Sequence, residues 1–555
     1  INIGGLAVGM GVAILISLWI YDELSFNKYH KNYHRIARVM QQETWFGERG
    51  TNMSQPIPLA SELRSSFPGD FEYVVMSTQT WEHIIASGDK KFMQPGKYMQ
   101  ADAPEMLTLK MLYASRAGLK DLNSILLSES LAKKLFGDFD PMDKLVKIDN
   151  KLDAKVTGVY EDLPNNSEFK DVTFIAPWDL FISSDKRLES LRDNWTNSFS
   201  HIYTQIAVNT DFEKVSAKIK NVKLDHVDKE FATHRPVLFL QPMNKWHLHS
   251  KYENGVNVTS EQIQFVWLYG IVGSFVLLLA CINFMNLSTA RSEKRAKEVG
   301  IRKAIGSMRG QLVRQFYSES LLTALLAFVL SVVMVRALLP WFNEVADKKI
   351  HIAWTNPMFW LTGMVVTLIT GLLAGSYPAL YLSSFKPVKV LKGAFRVGRS
   401  ASIPRKVLVV VQFTISVTLI ICTIIVYRQI QFAKNRPVGY SRDGLIAITM
   451  NTPELYKNYD VLRNDLLGTG AITDISRTSG PITDIWSTSS DFDWKGKDPN
   501  LETNFITCAI THGYGKTVGW QFINGRDFST KYSTDSTAIV LNETAAKLMG
   551  LKNPI

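Results

Sequence analysis

Gly515-Lys516-Thr517 is the stretch of this chain that comes nearest to a reactive motif. It follows the strand-like run NFITCAI, and such a triplet after a strand could cradle phosphates on backbone N–H groups, with the lysine reaching the terminal ones. A phosphate loop also needs a glycine five residues before the triplet, because the backbone must wrap the phosphates. Ile510 occupies that position and Gly513 is misplaced, so no nucleotide is expected there. His30 and His34 would share a helix face and could ligate a metal. No Glu or His stands at metal spacing beside them, and a surface pair is the expectation. Trp246-His247-Leu248-His249 reads as a strand edge. Cys281 and Cys422 lie inside apolar runs and Cys508 is alone in a polar region, which builds neither a disulfide framework nor a zinc site. With no G-x-S-x-G elbow, no HExxH helix and no paired catalytic constellation, the sequence predicts no catalytic residue, no metal ligand and no bound cofactor.

The apolar residues are distributed unevenly along the 555 residues, 46% of which are hydrophobic. Uncharged runs at 3–20, 265–287, 359–382 and 407–427 are each long enough to cross a bilayer; a fifth, 321–339, is interrupted only by Arg336 near its end, where the side chain can snorkel. The first run is no signal peptide: no basic segment precedes it, and YDEL follows instead of a small-residue cleavage site. The chain opens at Ile1 inside this run, and a missing N-terminus is expected. Apart from Arg336 the spans carry no ionisable side chain, which argues against an ion or proton path between them.

The net charge of +11 is carried by two loops. Residues 288–317 hold eight Lys/Arg against two acids, and residues 383–406 hold seven against none, leaving the remainder of the chain at −2. A nucleic-acid partner therefore finds no support. Short loops this rich in Lys/Arg stay in the cytoplasm. That orientation puts 21–264, 340–357 and everything after Tyr427 outside. In the first loop, Ile301, Ile305, Met308 and Leu312 form one apolar stripe at helical spacing, while Gly300, Gly306 and Gly310 suggest short helices joined by a turn. Such an element could dock a soluble partner or lie on anionic lipid, and spacing alone leaves both open.

The predicted organisation is a first span (1–20), an α+β outer domain (21–264), a second span (265–287) and a cytoplasmic loop (288–317). A third span (318–339), a short external loop (340–357), a fourth span (358–382), a basic linker (383–406), a fifth span (407–427) and a second outer region (428–555) follow. The second region repeats part of the first: Leu127, Glu129, Ala132 and Lys133 match Leu541, Glu543, Ala546 and Lys547, and Gly137 and Pro141 match Gly550 and Pro554. Internal duplication is expected, with the second copy incomplete.

EVGIRKAIGSMRGQLVRQFYSESL (298–321) and GLLAGSYPALYLSSFKPVKVLKG (371–393) resemble the membrane motifs of FtsX-type ABC transporter permeases. YDELSFNKYHKN (21–32), SESLAKKLFG (128–137) and GWQFINGRDF (519–528) resemble the MacB-like periplasmic core domain. The resemblance is closest to tandem, eight-helix permeases and implies a chain truncated at both ends. It further implies a multi-pass protein of the bacterial inner membrane that does not hydrolyse ATP itself. A MacB/LolD-type ATPase dimer would bind the ATP, a periplasmic adaptor and membrane lipid would be further partners, and ATPase motion would pass to the periplasmic domains by mechanotransmission. The coupling helix then falls on 298–309, with Glu298, Gly300, Ile301, Arg302, Lys303, Ile305, Gly306 and Met308 as the contacts. The alternative is a membrane-anchored sensor or scaffold without an ATPase. No residue selects a substrate.

Overall fold

The computed structural model describes residues 2–290, 292–383, 399–450, 452–490, 492–498, 501 and 503–551. Lys386, Lys389, Lys392 and Arg396 of the second basic loop, and Pro554 of the internal repeat, lie outside the described residues.

Among the described residues, five helices are long and apolar enough to cross a membrane. They lie in α1 (Asn2–Leu24), α3 (Glu261–Ala290), α5 (Arg309–Ala346), α6 (Pro357–Ser383) and α7 (Arg399–Asn435). Two short helices named below are α2 (Glu129–Phe136) and α4 (Ser292–Ala304). Small residues let the spans approach closely. A Cβ on Gly9 of α1 would come within 2.4 Å of Ala280 on α3, and one on Gly375 of α6 within 2.8 Å of Ser320 on α5. Leu6, Met10, Cys281, Phe284, Phe328 and Val332 fill the seam between α1, α3 and α5. α7 stands apart, touching α3 where Asn286 Nδ2 donates to Gln412 Oε1 over 3.4 Å. α5 runs through Pro340 and ends at Ala346, so the loop expected from 340 begins later.

Between α1 and α3 lies the α+β outer domain, built on one sheet. Its strands are β1 (Ile36–Trp45), β2 (Glu48–Asn52), β3 (Ser54–Gln55), β4 (Phe71–Ser77), β5 (Trp81–Ser87), β6 (Lys90–Met99) and β7 (Met111–Tyr113). β8 (Ser124–Ser128), β9 (Leu145–Ile148), β10 (Leu152–Tyr160), β11 (Phe174–Pro177), β12 (Ser200–Ile206) and β13 (Val237–Pro242) complete it. The order is β11-β8-β10-β9-β5-β6-β4-β12-β1-β13, and β11 pairs with β6 as well as β8, so this half of the sheet closes on itself. β4, β12, β1 and β13 form the antiparallel half, with Arg38 opposite both Tyr203 and Gln241, and His201 opposite Ser77. β8 and β10 run parallel, and α2 lies in the crossover between them. Ser128 caps α2 by accepting the Leu131 N–H at 3.3 Å, and Gly137 closes it at φ 67°.

The predicted partner of that helix, Glu543–Leu548, is likewise capped, Asn542 Oδ1 accepting the Ala545 N–H at 2.8 Å. The strand before α2 has no counterpart among the described residues there, and beyond α7 those residues hold only elements of 10 residues or fewer.

Two local expectations fail. Residues 25–35 form turns rather than a helix, so His30 and His34 share no helix face. His34 is exposed, but His30 is fully buried, its ring hydrogen-bonded to the Leu107 carbonyl at 2.6 Å and to Ser167 Oγ at 3.3 Å. Trp246-His247-Leu248-His249 is no strand edge. It follows a single 3-10 turn, and Trp246 is buried in the core, donating Nε1–H to the Gln241 carbonyl at 2.8 Å.

Candidate functional site

The loop between α3 and α5 is a helical hairpin whose corner is built by glycine. α4 ends in two closing bonds: Ser307 N–H donates to the Arg302 carbonyl at 3.0 Å, and Gly306 N–H to the Lys303 carbonyl at 3.1 Å. This pair is a Schellman closure, which needs a left-handed residue at its C′ position. Gly306 supplies it at φ 106°. Met308 then caps α5, its backbone N–H held at 3.0 Å by Gln311 Oε1. The turn is therefore specified by Gly306 and Gln311 and leaves its apolar residues free for other work.

Three groups of side chains share the hairpin. Val299, Leu312, Phe316 and Ala379 are buried together, pinning it against α6. Leu312 thus leaves the apolar stripe expected from its spacing, because the turn at Gly306 breaks the helix on which that stripe was drawn. Polar contacts fix the rest. Glu298 pairs with Arg302 at 2.6 Å, and Arg302 also donates to Gln315 Oε1 at 2.7 Å. Lys303 Nζ donates to the Ser383 carbonyl at 2.5 Å, and Arg309 Nε to Ser383 Oγ at 3.4 Å, so both cations sit at the C-terminal end of α6, where the helix dipole favours them. Lys303 is accordingly half-buried and Gly300 is buried. Ile301, Ile305 and Met308 remain, 48%, 82% and 73% exposed. The hairpin presents three exposed apolar side chains on a corner closed by its own hydrogen bonds.

The Gly515-Lys516-Thr517 triplet lies in the five-residue helix Tyr514–Val518. Its Lys516 N–H already donates to Asp527 Oδ2 at 2.9 Å, and the ammonium lies 3.7 Å from Asp474. Ile510 is bridged to Thr478 instead of opening a loop. Two carboxylates therefore stand where phosphates would have to go. Calorimetric titration of the chain with MgATP is expected to give no heat attributable to this triplet; micromolar binding removed by Lys516→Ala would contradict that. Among the described residues no cluster of three or more His, Cys, Asp or Glu could hold a metal.

One cluster escaped the sequence reading. Glu23 near the outer end of α1 is buried, and its carboxylate contacts His247 Nε2 at 2.5 Å and Lys348 Nζ at 2.7 Å. The signal lay in Asp22 and Glu23, adjacent acids directly after an apolar run, but their partners are 224 and more residues away.

Residues 1–222 match the model of the MacB-like periplasmic core domain, and residues 270–387 that of the FtsX-like permease C-terminal. Together with the spanning helices, these define a chain that carries the domain pair of MacB/FtsX-type ABC transporter permeases. It is similar to the ABC transporter permease YknZ of Bacillus subtilis (strain 168), 20% identical over 270 residues, 48% of this chain and 61% of the relative. It is also similar to the macrolide export ATP-binding/permease protein MacB of Haemophilus ducreyi, 26% identical over 283 residues, 49% of this chain and 37% of the relative. The chain thus spans less than two thirds of either relative's length. Among solved structures, the periplasmic region of MacB from Actinobacillus actinomycetemcomitans aligns over 38% of this chain and 90% of its own, at 16% identity and a TM-score of 0.28.

Proposed function

We propose that this chain is the membrane subunit of an ABC transporter in the bacterial inner membrane, passing the motion of a separate ATPase to the outer domain between α1 and α3. ATP binding and hydrolysis belong to the partner, a MacB/LolD-type dimer. The observation that carries this reading is the solvent-exposed apolar corner of Ile301, Ile305 and Met308 at a hydrogen-bonded turn in a basic loop, of the kind expected to stay in the cytoplasm. A helix that only rests on lipid would lay its apolar face along the membrane plane. Here the face is concentrated at a turn. The apolar runs at 3–20, 265–287, 321–339, 359–382 and 407–427 favour motion over passage, since they hold no acid or base other than Arg336. Internal duplication is part of the proposal, as two repeats in one chain would present two corners to a dimeric partner.

Co-purification from solubilised membranes tests the reading. An ATP-binding subunit recovered with the chain supports it, and recovery of the chain without one favours a sensor or scaffold. The orientation has its own test. With the three cysteines replaced by serine, Ser190→Cys should react with an impermeant maleimide added from outside, and Ser307→Cys should not. Labelling of Ser307→Cys from outside would reverse the topology.

A further inference from the structure

The Glu23 cluster joins three elements that are far apart in sequence. Lys348 Nζ lies 2.8 Å from Asp22 and 2.7 Å from Glu23, both at the outer end of α1. His247 donates to the other Glu23 oxygen at 2.5 Å and stacks on Phe26, ring centroids 4.0 Å apart. Each partner is fixed from behind. His247 follows Trp246, a member of the outer-domain core, and precedes Leu248, whose carbonyl accepts from Ser260 just before α3. Lys348 follows Asp347, which ends α5 at φ 49°, and its N–H donates to the Asn343 carbonyl at 3.0 Å. Ile350 and Ile352 of the same loop are buried with Leu15 and Leu18 of α1 and Val335 and Leu339 of α5.

α5 is one helix of 38 residues, about 57 Å at the usual rise. Met308, at the exposed apolar corner, caps one end, and Lys348 follows directly on the other. We infer that the Lys348–Glu23–His247 cluster is the joint through which α5 hands displacement of its inner end to the outer domain. The inference rests on the proposed function for the source of that displacement, but the joint is a property of this chain alone. A surface ion pair contributes little. Here Glu23 is buried and shared by two donors, so loosening Lys348 leaves a carboxylate under-satisfied and is felt on the His247 side.

Lys348→Met tests this, since it keeps the stem length and the packing of Ile350 and Ile352 while removing the charge. The first readout is amide hydrogen exchange of the chain alone in lipid nanodiscs. Exchange should rise both in the loop around Lys348 and in the segment around His247, by about fivefold or more, the low end of ordinary coupling. Lys348→Arg should restore both. A rise confined to the loop, or none, overturns the joint whatever the partner does. The second readout uses the chain with its co-purified ATP-binding subunit and MgATP. Lys348→Met should retain the subunit yet lose the ATP-dependent change in the outer domain, and an undiminished change would overturn the joint. A wild-type chain that shows the exchange link but no ATP response would refute the transport reading and leave the joint standing.

Discussion

Ile305→Asp is expected to remove the ATP-binding subunit from the purified chain while leaving membrane insertion intact. Ile305 is 82% exposed; the turn is set by Gly306 and the Gln311 cap, so the substitution has little internal structure to break. At an interface the balance is different. Burying an isoleucine contributes about 1.5–3 kcal/mol, and an unpaired carboxylate in the same place costs several kcal/mol more. Each 1.4 kcal/mol is about tenfold in affinity, so a loss of about 100-fold or greater follows. Leu312→Asp is the contrasting variant: Leu312 is buried against Val299, Phe316 and Ala379, and its replacement should lower the yield of folded chain instead. Quantitative immunoblotting of both proteins after affinity purification, with membrane flotation as the insertion control, measures the difference. Wild-type recovery with Ile305→Asp would remove the corner from the interface.

The second large effect is acid lability of the outer domain. Burial pushes the His201 ring down to about 3, with Lys97 and Arg38 adding to the shift, and burial pushes the buried His30 down to about 4. His201 has no hydrogen-bond partner at either ring nitrogen among the described residues. Both folded-state values lie below the ordinary histidine value. Between roughly pH 3 and 6.5 the unfolded chain therefore binds more protons than the folded one, and stability falls as pH falls through that window. Integrated from pH 6.5 to pH 4.5, the two groups together remove about 4 kcal/mol. His201→Phe should recover about half of this, because it removes the titration without leaving a new polar group unpaired. Amide exchange of β1, β4 and β12 in the intact chain, corrected for the intrinsic pH dependence, reads the change. Equal acid sensitivity in wild type and His201→Phe would show that His201 is not neutral in the fold.

Lys97 moves the opposite flank. Burial lowers its ammonium to about 8, the Glu168 charge offsetting only part of the cost, so its neighbourhood should gain stability as pH rises from about 8 towards the ordinary lysine value.

The membrane part of this molecule was legible because its signals are local. Uncharged runs of spanning length and clustered Lys/Arg need no knowledge of distant contacts, and helices lie where those runs are. The corner at Gly306 was legible too, since a glycine inside a helical pattern has few other uses. What stayed hidden depended on residues far away in sequence. Leu312 belongs to the apolar stripe by spacing, and only the packing of α5 on α6 turns it inward. Lys303 has the composition of a rim cation, but the end of α6 arrives beside it and takes its ammonium. His30 looked like a surface residue because nothing in its own neighbourhood announces Leu107 and Ser167, which cover it. Glu23 was hidden for the same reason, as its two partners come from the far end of the outer domain and from the loop after α5.

Nucleotide bound by the partner should move the chain through its inner corner and be felt outside the membrane. Spin labels on Ser190→Cys of the outer domain and Arg436→Cys just beyond α7 report the separation of two external points, in a chain whose own cysteines are replaced. With the ATP-binding subunit present, the distance distribution should shift on addition of MgATP. It should return on hydrolysis and stay unchanged in Ile305→Asp. An unchanged distribution in the wild-type complex during ATP turnover would contradict transmission from the inner corner to the outer domain.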